Sequence, residues 1–153
     1  GMNLSDGDEI VGMVVTHPDA YLLTLTEKGY GKRTSVEEYR KIKRGGKGVI
    51  DIQTNKRNGK VVGILDCFED DEFMVITKKG VAIRTSVSGI RSISRNTQGV
   101  TIIRLEDGDE VAALGKLPEA KEEKKIQGDL PDSSVLEEEI EEGSVDEPVE
   151  ENE

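Results

Sequence analysis

Apolar residues along the chain fall in short clusters bounded by Gly, Asn, Asp or charged residues, the pattern of strands rather than of helices. Ile10 to Val15, Tyr21 to Thr26, Tyr30 to Ser35 and Val49 to Gln53 make one set of four predicted strands. Val61 to Leu65, Phe73 to Thr77, Val81 to Ser86 and Gly99 to Leu105 make a second, and Val111 to Leu114 opens a third. In both sets strands two and three are joined by a short turn ending in glycine, Glu27-Lys28-Gly29 and Lys78-Lys79-Gly80. Glycine tolerates the positive φ that such a hairpin demands. Asn58-Gly59, Asp70-Asp71 and Asp107-Gly108 mark further turns.

The two sets are copies of one another. Sliding Leu22–Ile52 by 51 positions onto Phe73–Ile103 requires no gap and gives 13 identities in 31 positions, against about two by chance at ordinary residue frequencies. The matched residues include Arg33/Arg84, Thr34/Thr85, Arg40/Arg91, Arg44/Arg95 and Gly48/Gly99. Four strands at a period of about 50 residues is the signature of a propeller blade, a small sheet that stacks on its neighbours and so buries both faces. The expected fold class is therefore all-β, β-propeller or β-pinwheel, with blades of four antiparallel strands in two repeats. A duplicated β-sandwich is the alternative. The chain divides into residues 1–8, the end of a preceding blade with Gly1 ahead of Met2 as a cloning scar; 9–60, the first repeat; 61–117, the second with the opening strand of a further unit; and 118–153, a tail. Two repeats are few for units that cover each other's faces, so either the isolated fragment self-associates or its outer faces are protected locally.

Charge changes the picture of the tail. The net charge is -11, but residues 118–153 hold 15 acidic residues and 3 lysines, leaving the rest near neutral. That segment has few apolar residues and is expected to be a disordered acidic tail, because it cannot bury enough surface to offset its ordering entropy. Lys28 to Lys60 holds 11 basic residues against 3 acidic ones, and Phe73 to Leu105 holds 6 against none. The balancing acids gather at 6–9, 66–72 and 106–110, which predicts separate basic and acidic faces.

Few residues suit catalysis. The chain has one His, His17, and one Cys, Cys67, so neither a His-rich metal site nor an intrachain disulfide is available. His17 sits in a predicted turn as an ordinary surface residue, and Cys67 beside an acidic cluster is expected to be an inert thiol. Near-matches to a phosphate-binding P-loop fail, because Lys47 is followed by Gly48 and Lys32 by Arg33. The run Glu69 to Glu72 reads as a solvated turn. No catalytic site and no cofactor are expected in this chain. Apolar runs stay far below the roughly 20 residues that span a bilayer, and the start lacks a secretory signal, so the expected location is cytoplasmic, with no membrane partner.

The basic residues carry the sharper signal. Lys32, Arg33, Arg40, Lys41, Lys43, Arg44 and Lys47 surround or lead into Gly45, Gly46 and Gly48, and Arg84, Arg91 and Arg95 recur at matching sites in the second repeat. Glycine lets a backbone approach a phosphate closely, while Arg and Lys supply charge. Repeated from blade to blade, such a loop would line a rim that a polyanion could follow. Aromatic residues for stacking unpaired bases are scarce, which favours duplex DNA gripped by its backbone. A solvated basic edge that only discourages strand aggregation is the bland alternative.

These same residues resemble a known family. Glu27-Lys28-Gly29-Tyr30-Gly31-Lys32-Arg33-Thr34, then Lys43-Arg44-Gly45-Gly46-Lys47-Gly48-Val49, Arg84-Thr85 and Arg95-Asn96-Thr97-Gln98-Gly99-Val100, resemble the C-terminal domain of the A subunit of DNA gyrase, a type IIA topoisomerase. The resemblance covers Asp6 to Leu117. It implies the last two blades of a six-bladed β-pinwheel that wraps duplex DNA to support ATP-dependent negative supercoiling. It further implies partnership with the B subunit of gyrase and with the remainder of the A subunit, with ATP and Mg used elsewhere in the holoenzyme. The family's hallmark box, Gln-Arg-Arg-Gly-Gly-Lys-Gly, is similar to Ile42-Lys43-Arg44-Gly45-Gly46-Lys47-Gly48, apart from Ile for Gln and Lys for Arg. The matching stretch Ile93 to Gly99 has lost most of its charge. The alternatives are a protein-interaction propeller piece and the corresponding segment of the related topoisomerase IV.

Overall fold

The computed structural model describes residues 2–118. Seven strands form in chain order: β1 (Tyr21–Thr26), β2 (Tyr30–Ser35), β3 (Val61–Cys67), β4 (Glu72–Thr77), β5 (Ala82–Ser86), β6 (Val100–Thr101) and β7 (Val111–Lys116). A single 3-10 turn, Val36–Glu38, follows β2. The architecture is all-β, and the paired strands of both sheets run antiparallel.

Each hairpin pairs within its own sequence repeat, but the strands that flank it come from the next repeat along the chain. The first sheet has the order β3-β1-β2-β6, so the hairpin of the first repeat is flanked on both sides by strands of the second. The second sheet, β5-β4-β7, places the opening strand of the third unit beside the hairpin of the second. This exchange accounts for two corrections. Ile10 to Val15 and Val49 to Gln53 are not strands. They are the repeat equivalents of β3 and β6, and by the same rule they would flank a hairpin one repeat earlier. Ile10 to Val15 pairs with no strand among the described residues, and Val49 to Gln53 makes only an isolated parallel bridge, Ile52 with Thr97; Ile10, Val11, Met13, Val15 and Ile50 are exposed. The predicted strand Gly99 to Leu105 shortens to Val100–Thr101, because only Gly31 and Tyr30 of β2 remain beyond the next loop to pair with it. The acidic tail, apart from Pro118, lies outside the described residues.

Leu23, Leu25, Cys67, Phe73, Val75, Val87, Ile90, Ile103 and Val111 form one buried cluster that draws on both sheets. Each fully buried Leu or Phe of this kind contributes about 1.5–3 kcal/mol by leaving water. β1 is covered on both faces, so Thr24 and Thr26, which alternate with Leu23 and Leu25, are buried as well. Their hydroxyls are satisfied, Thr24 donating to Asp51 at 2.6 Å and Thr26 to the Tyr30 carbonyl at 3.0 Å. Gly29 closes the β1–β2 hairpin with φ 77°, and a Cβ there would also collide with the Ile103 carbonyl. The Gly29 carbonyl in turn accepts from the amides of Ile102 and Ile103 at 2.9 and 3.1 Å. The turn glycine is thus also the point where the second repeat is tied to the first.

Candidate nucleic-acid interface

The glycine-rich segment between Tyr39 and Asp51 is a loop with a closed neck. The Tyr39 hydroxyl donates to Asp51 Oδ1, and the other Asp51 oxygen accepts from Thr24. Burial, reinforced by the bond to Asp51, pushes the Tyr39 phenol pKa up and keeps it a donor. Beneath the neck lies Lys32, whose side chain has no exposed surface. Its Nζ stands 3.6 Å from Asp51 Oδ1 and donates to Thr34 Oγ1 at 3.1 Å, to the Ser94 carbonyl at 2.9 Å and to the Arg95 carbonyl. Burial pulls the Lys32 ammonium below the ordinary lysine range, and Asp51 opposes that shift.

From this base the loop projects into solvent. Arg40, Lys41, Lys43, Arg44 and Lys47 are all exposed, and none forms an ion pair with a carboxylate among the described residues. Gly45 and Gly48 have φ values of 75° and 83°, a region that side-chain-bearing residues rarely adopt. Nothing lies within 4 Å of where a Cβ would project at either position. The glycines here serve backbone conformation and approach from outside. Chemically the loop offers cations and open backbone at Gly45 and Gly48 to an anion.

The second repeat differs. Arg91 is exposed and unpaired among the described residues, but Arg95 turns inward: Nη1 donates to the Ile50 carbonyl at 2.7 Å and the guanidinium lies 6.0 Å from the Tyr39 ring centroid. Its loop is stitched to the first repeat by Ile93 N–H to the Arg33 carbonyl at 3.0 Å and by Thr34 Oγ1 to the Ile93 carbonyl at 2.8 Å.

Two further candidates lie inward. Lys32 is the buried base just described. Arg33 is nearly buried, forms a bidentate pair with Glu69 at 2.7 and 2.9 Å, and lies 4.8 Å from the Tyr21 ring centroid. The Arg33 guanidinium holds the Glu69 carboxyl below its usual range. Neither Lys32 nor Arg33 can meet a duplex backbone in this structure, because β2 is covered on both faces and their charges are already taken by protein oxygens. Arg84 is exposed but paired with Glu72. The sequence holds a signal for Lys32, whose repeat partner is the apolar Ile83.

Two further residues could carry chemistry, Cys67 and His17. Cys67 is buried and free, with its thiol pKa pushed up to about 11 mainly by burial. His17 is exposed and contacts Asp66 at 2.8 Å. No cluster of three or more metal-ligating side chains exists among the described residues, and no helix there is long and apolar enough to cross a membrane.

The family described as "DNA gyrase C-terminal domain, beta-propeller" matches residues 1–17, 20–67 and 71–117. The chain belongs to that family. Among curated gyrase relatives, the DNA gyrase A subunit of Escherichia coli K12 is 42% identical over 137 residues, covering 90% of this chain and 15% of the relative. The corresponding gyrase A subunit of Staphylococcus aureus NCTC 8325 is 40% identical over 139 residues, covering 90% and 16%. The chain thus spans about a sixth of these relatives. A solved DNA gyrase A C-terminal domain superposes with a TM-score of 0.72 at 29% identity, over 77% of this chain and 40% of that one. The C-terminal domain of a DNA topoisomerase IV superposes at 0.70 with 27% identity, over 76% and 37%. The gyrase resemblance, and the β-propeller fold expected from the four-strand repeat, therefore hold, and in this gyrase-family chain the strands that flank each hairpin come from the next repeat.

Proposed function

We propose that this chain is a duplex-DNA binding and wrapping segment of a DNA gyrase A subunit. The observation that carries the reading is the closed-neck loop 40–50, with five exposed cations, two left-handed glycines and no carboxylate partner among the described residues. Duplex DNA carries one negative charge per about 1.7 Å of helix axis, so such a loop gains by releasing counterions from the phosphates. Charge supplied by Arg and Lys to the backbone fixes position without reading sequence. The loop offers no planar amide and no exposed aromatic aimed outward for base readout. The expected result is equal affinity, within about threefold, for duplexes of unrelated sequence in a mobility-shift titration. Strong preference for one sequence, or binding only of an acidic protein, would count against the reading.

In the whole enzyme the segment would act with the B subunit of gyrase, together with the rest of its own polypeptide, to support ATP-dependent negative supercoiling. That is an isomerase activity whose ATP and Mg chemistry lies outside this chain. The gyrase assignment is favoured over topoisomerase IV because the curated matches near 40% identity are gyrase A subunits.

The acidic segment 118–153 supports a second element of the proposal. Fifteen carboxylates tethered to the same chain as a basic loop are present at about millimolar effective concentration, and compete with phosphate for it. Deleting residues 118–153 is expected to tighten duplex binding by about tenfold. Unchanged or weaker binding after truncation would remove autoinhibition from the account.

A further inference from the structure

We infer that Arg57 and Arg104, gathered around Tyr30 with Lys28, form a second contact for the phosphodiester backbone of duplex DNA, separate from the glycine-rich loop. The inference rests on the duplex-binding reading above. Tyr30 opens β2, and Arg57 lies over its ring, 4.9 Å from the centroid, with Nε 3.4 Å from the hydroxyl. Lys28, Tyr30, Thr101, Arg104 and the buried Asp109 line one open cavity of 460 Å³. Asp109 directs Oδ1 to the amides of Lys79 and Glu110 at 3.1 and 2.8 Å. Lys28 donates to the Lys56 carbonyl. Lys28, Arg57 and Arg104 are exposed, and none is ion-paired with a carboxylate among the described residues.

The site is held in shape before any ligand arrives. Asn58 is 1% exposed and fixes the turn that carries Arg57, donating to the carbonyls of Gln53 at 2.8 Å and Gln98 at 3.0 Å. Its Oδ1 accepts from the Asn55 amide at 2.8 Å, and Asn55 Oδ1 accepts from the Arg57 amide at 2.8 Å. An arginine stacked on a tyrosine and carried by a locked turn loses little freedom when it meets a phosphate. The Arg57 hydrogen bond is also the main cause of the lowered Tyr30 pKa.

Placement argues for a duplex rather than a lone phosphate. The side of β2 away from β1 carries this cluster at Tyr30, which pairs with Thr101 of β6, and the loop bearing Arg91 at Arg33, where Arg33 bridges Ser92. Three residues of strand separate the two, about 10 Å at 3.3 Å per residue. Cationic groups anchored at two points along one strand suit an extended polyanion such as a duplex backbone better than a lone phosphate.

The test is duplex titration of the full chain carrying Arg57→Ala and Arg104→Ala together. Each lost phosphate contact costs about tenfold at about 0.1 M salt and flattens the log-log salt slope by about 1. The double variant should therefore bind on the order of 100-fold more weakly, with a slope shallower by about 2 and an unchanged melting temperature. Arg57→Lys with Arg104→Lys should keep the wild-type slope. Lys78→Ala, which removes a cation already paired with Glu110, controls for net charge and should change affinity by less than about threefold. Unchanged affinity of the alanine variant beside a wild type that binds overturns this contact alone. A wild type that binds no duplex overturns the duplex reading and the contact with it.

Discussion

A chain carrying Lys43→Glu, Arg44→Glu and Lys47→Glu is expected to lose duplex binding by roughly 10³-fold at about 0.1 M salt, through three phosphate contacts removed at about tenfold each. Reversed charge adds repulsion on top. The fold should not notice, because all three side chains are exposed on a loop outside both sheets and form no ion pair among the described residues. Surface changes of this kind stay within about 0.5 kcal/mol. The melting temperature is therefore the control. A triple variant that melts like wild type and binds within about threefold of it would take the loop out of the interface. One that unfolds would mean that the loop is structural, against its open geometry.

Asp51→Ala should act through the neck instead. Its carboxylate serves two hydroxyls, Tyr39 and Thr24, and neighbours the buried Lys32 ammonium. Removing it leaves two donors without an acceptor and a buried cation with carbonyls and a hydroxyl alone. The expected cost is roughly 3 kcal/mol, from about 1 kcal/mol per orphaned donor and a comparable share for the uncompensated charge. Partial exposure of Asp51 keeps the figure below the roughly 5 kcal/mol that a fully buried pair can reach. DNA affinity should fall several-fold because loop 40–50 loses its closure. The salt slope should stay at the wild-type value because no cation has been removed. Asp51→Asn, which keeps an acceptor and loses the charge, should fall between alanine and wild type in stability. Wild-type stability of the alanine variant, measured by denaturant unfolding, would contradict the neck.

The hairpins are legible in the sequence because they are self-contained. Leu23 and Leu25 alternate with polar residues, and a turn ending in glycine joins two short runs, so β1 and β2 appear where the pattern puts them. Which repeat a flanking strand joins is not written in periodicity. Val61 to Cys67 looks the same whether it serves its own repeat or the one before, and only the register Leu23↔Leu65 in space decides. The same blindness makes Ile10 to Val15 look like a strand, although its partner lies in no described residue.

Charge counting finds the basic stretches and not the side chains' directions. Lys32 and Arg33 fall in the most basic stretch of the chain, yet both are drawn inward by oxygens from residues far along it: Ser94 and Arg95 for one, Glu69 for the other. Arg57 escapes the sequence pattern for the opposite reason. The repeated loop is what marks a cation as a candidate, and the position 51 residues after Arg57 is Gly108, so nothing flags it. Its role depends on Tyr30 lying beneath it, which only the fold reveals.

The most direct measurement is the affinity of the full chain for a random-sequence duplex between about 50 and 200 mM salt. The six exposed cations of loop 40–50 and its counterpart in the second repeat that lack carboxylate partners among the described residues, Arg40, Lys41, Lys43, Arg44, Lys47 and Arg91, predict a slope of log K against log salt of about -5 or steeper. A slope near zero, or one shallower than about -2, would mean that these cations do not sit on phosphates, and the interface described for them would be wrong.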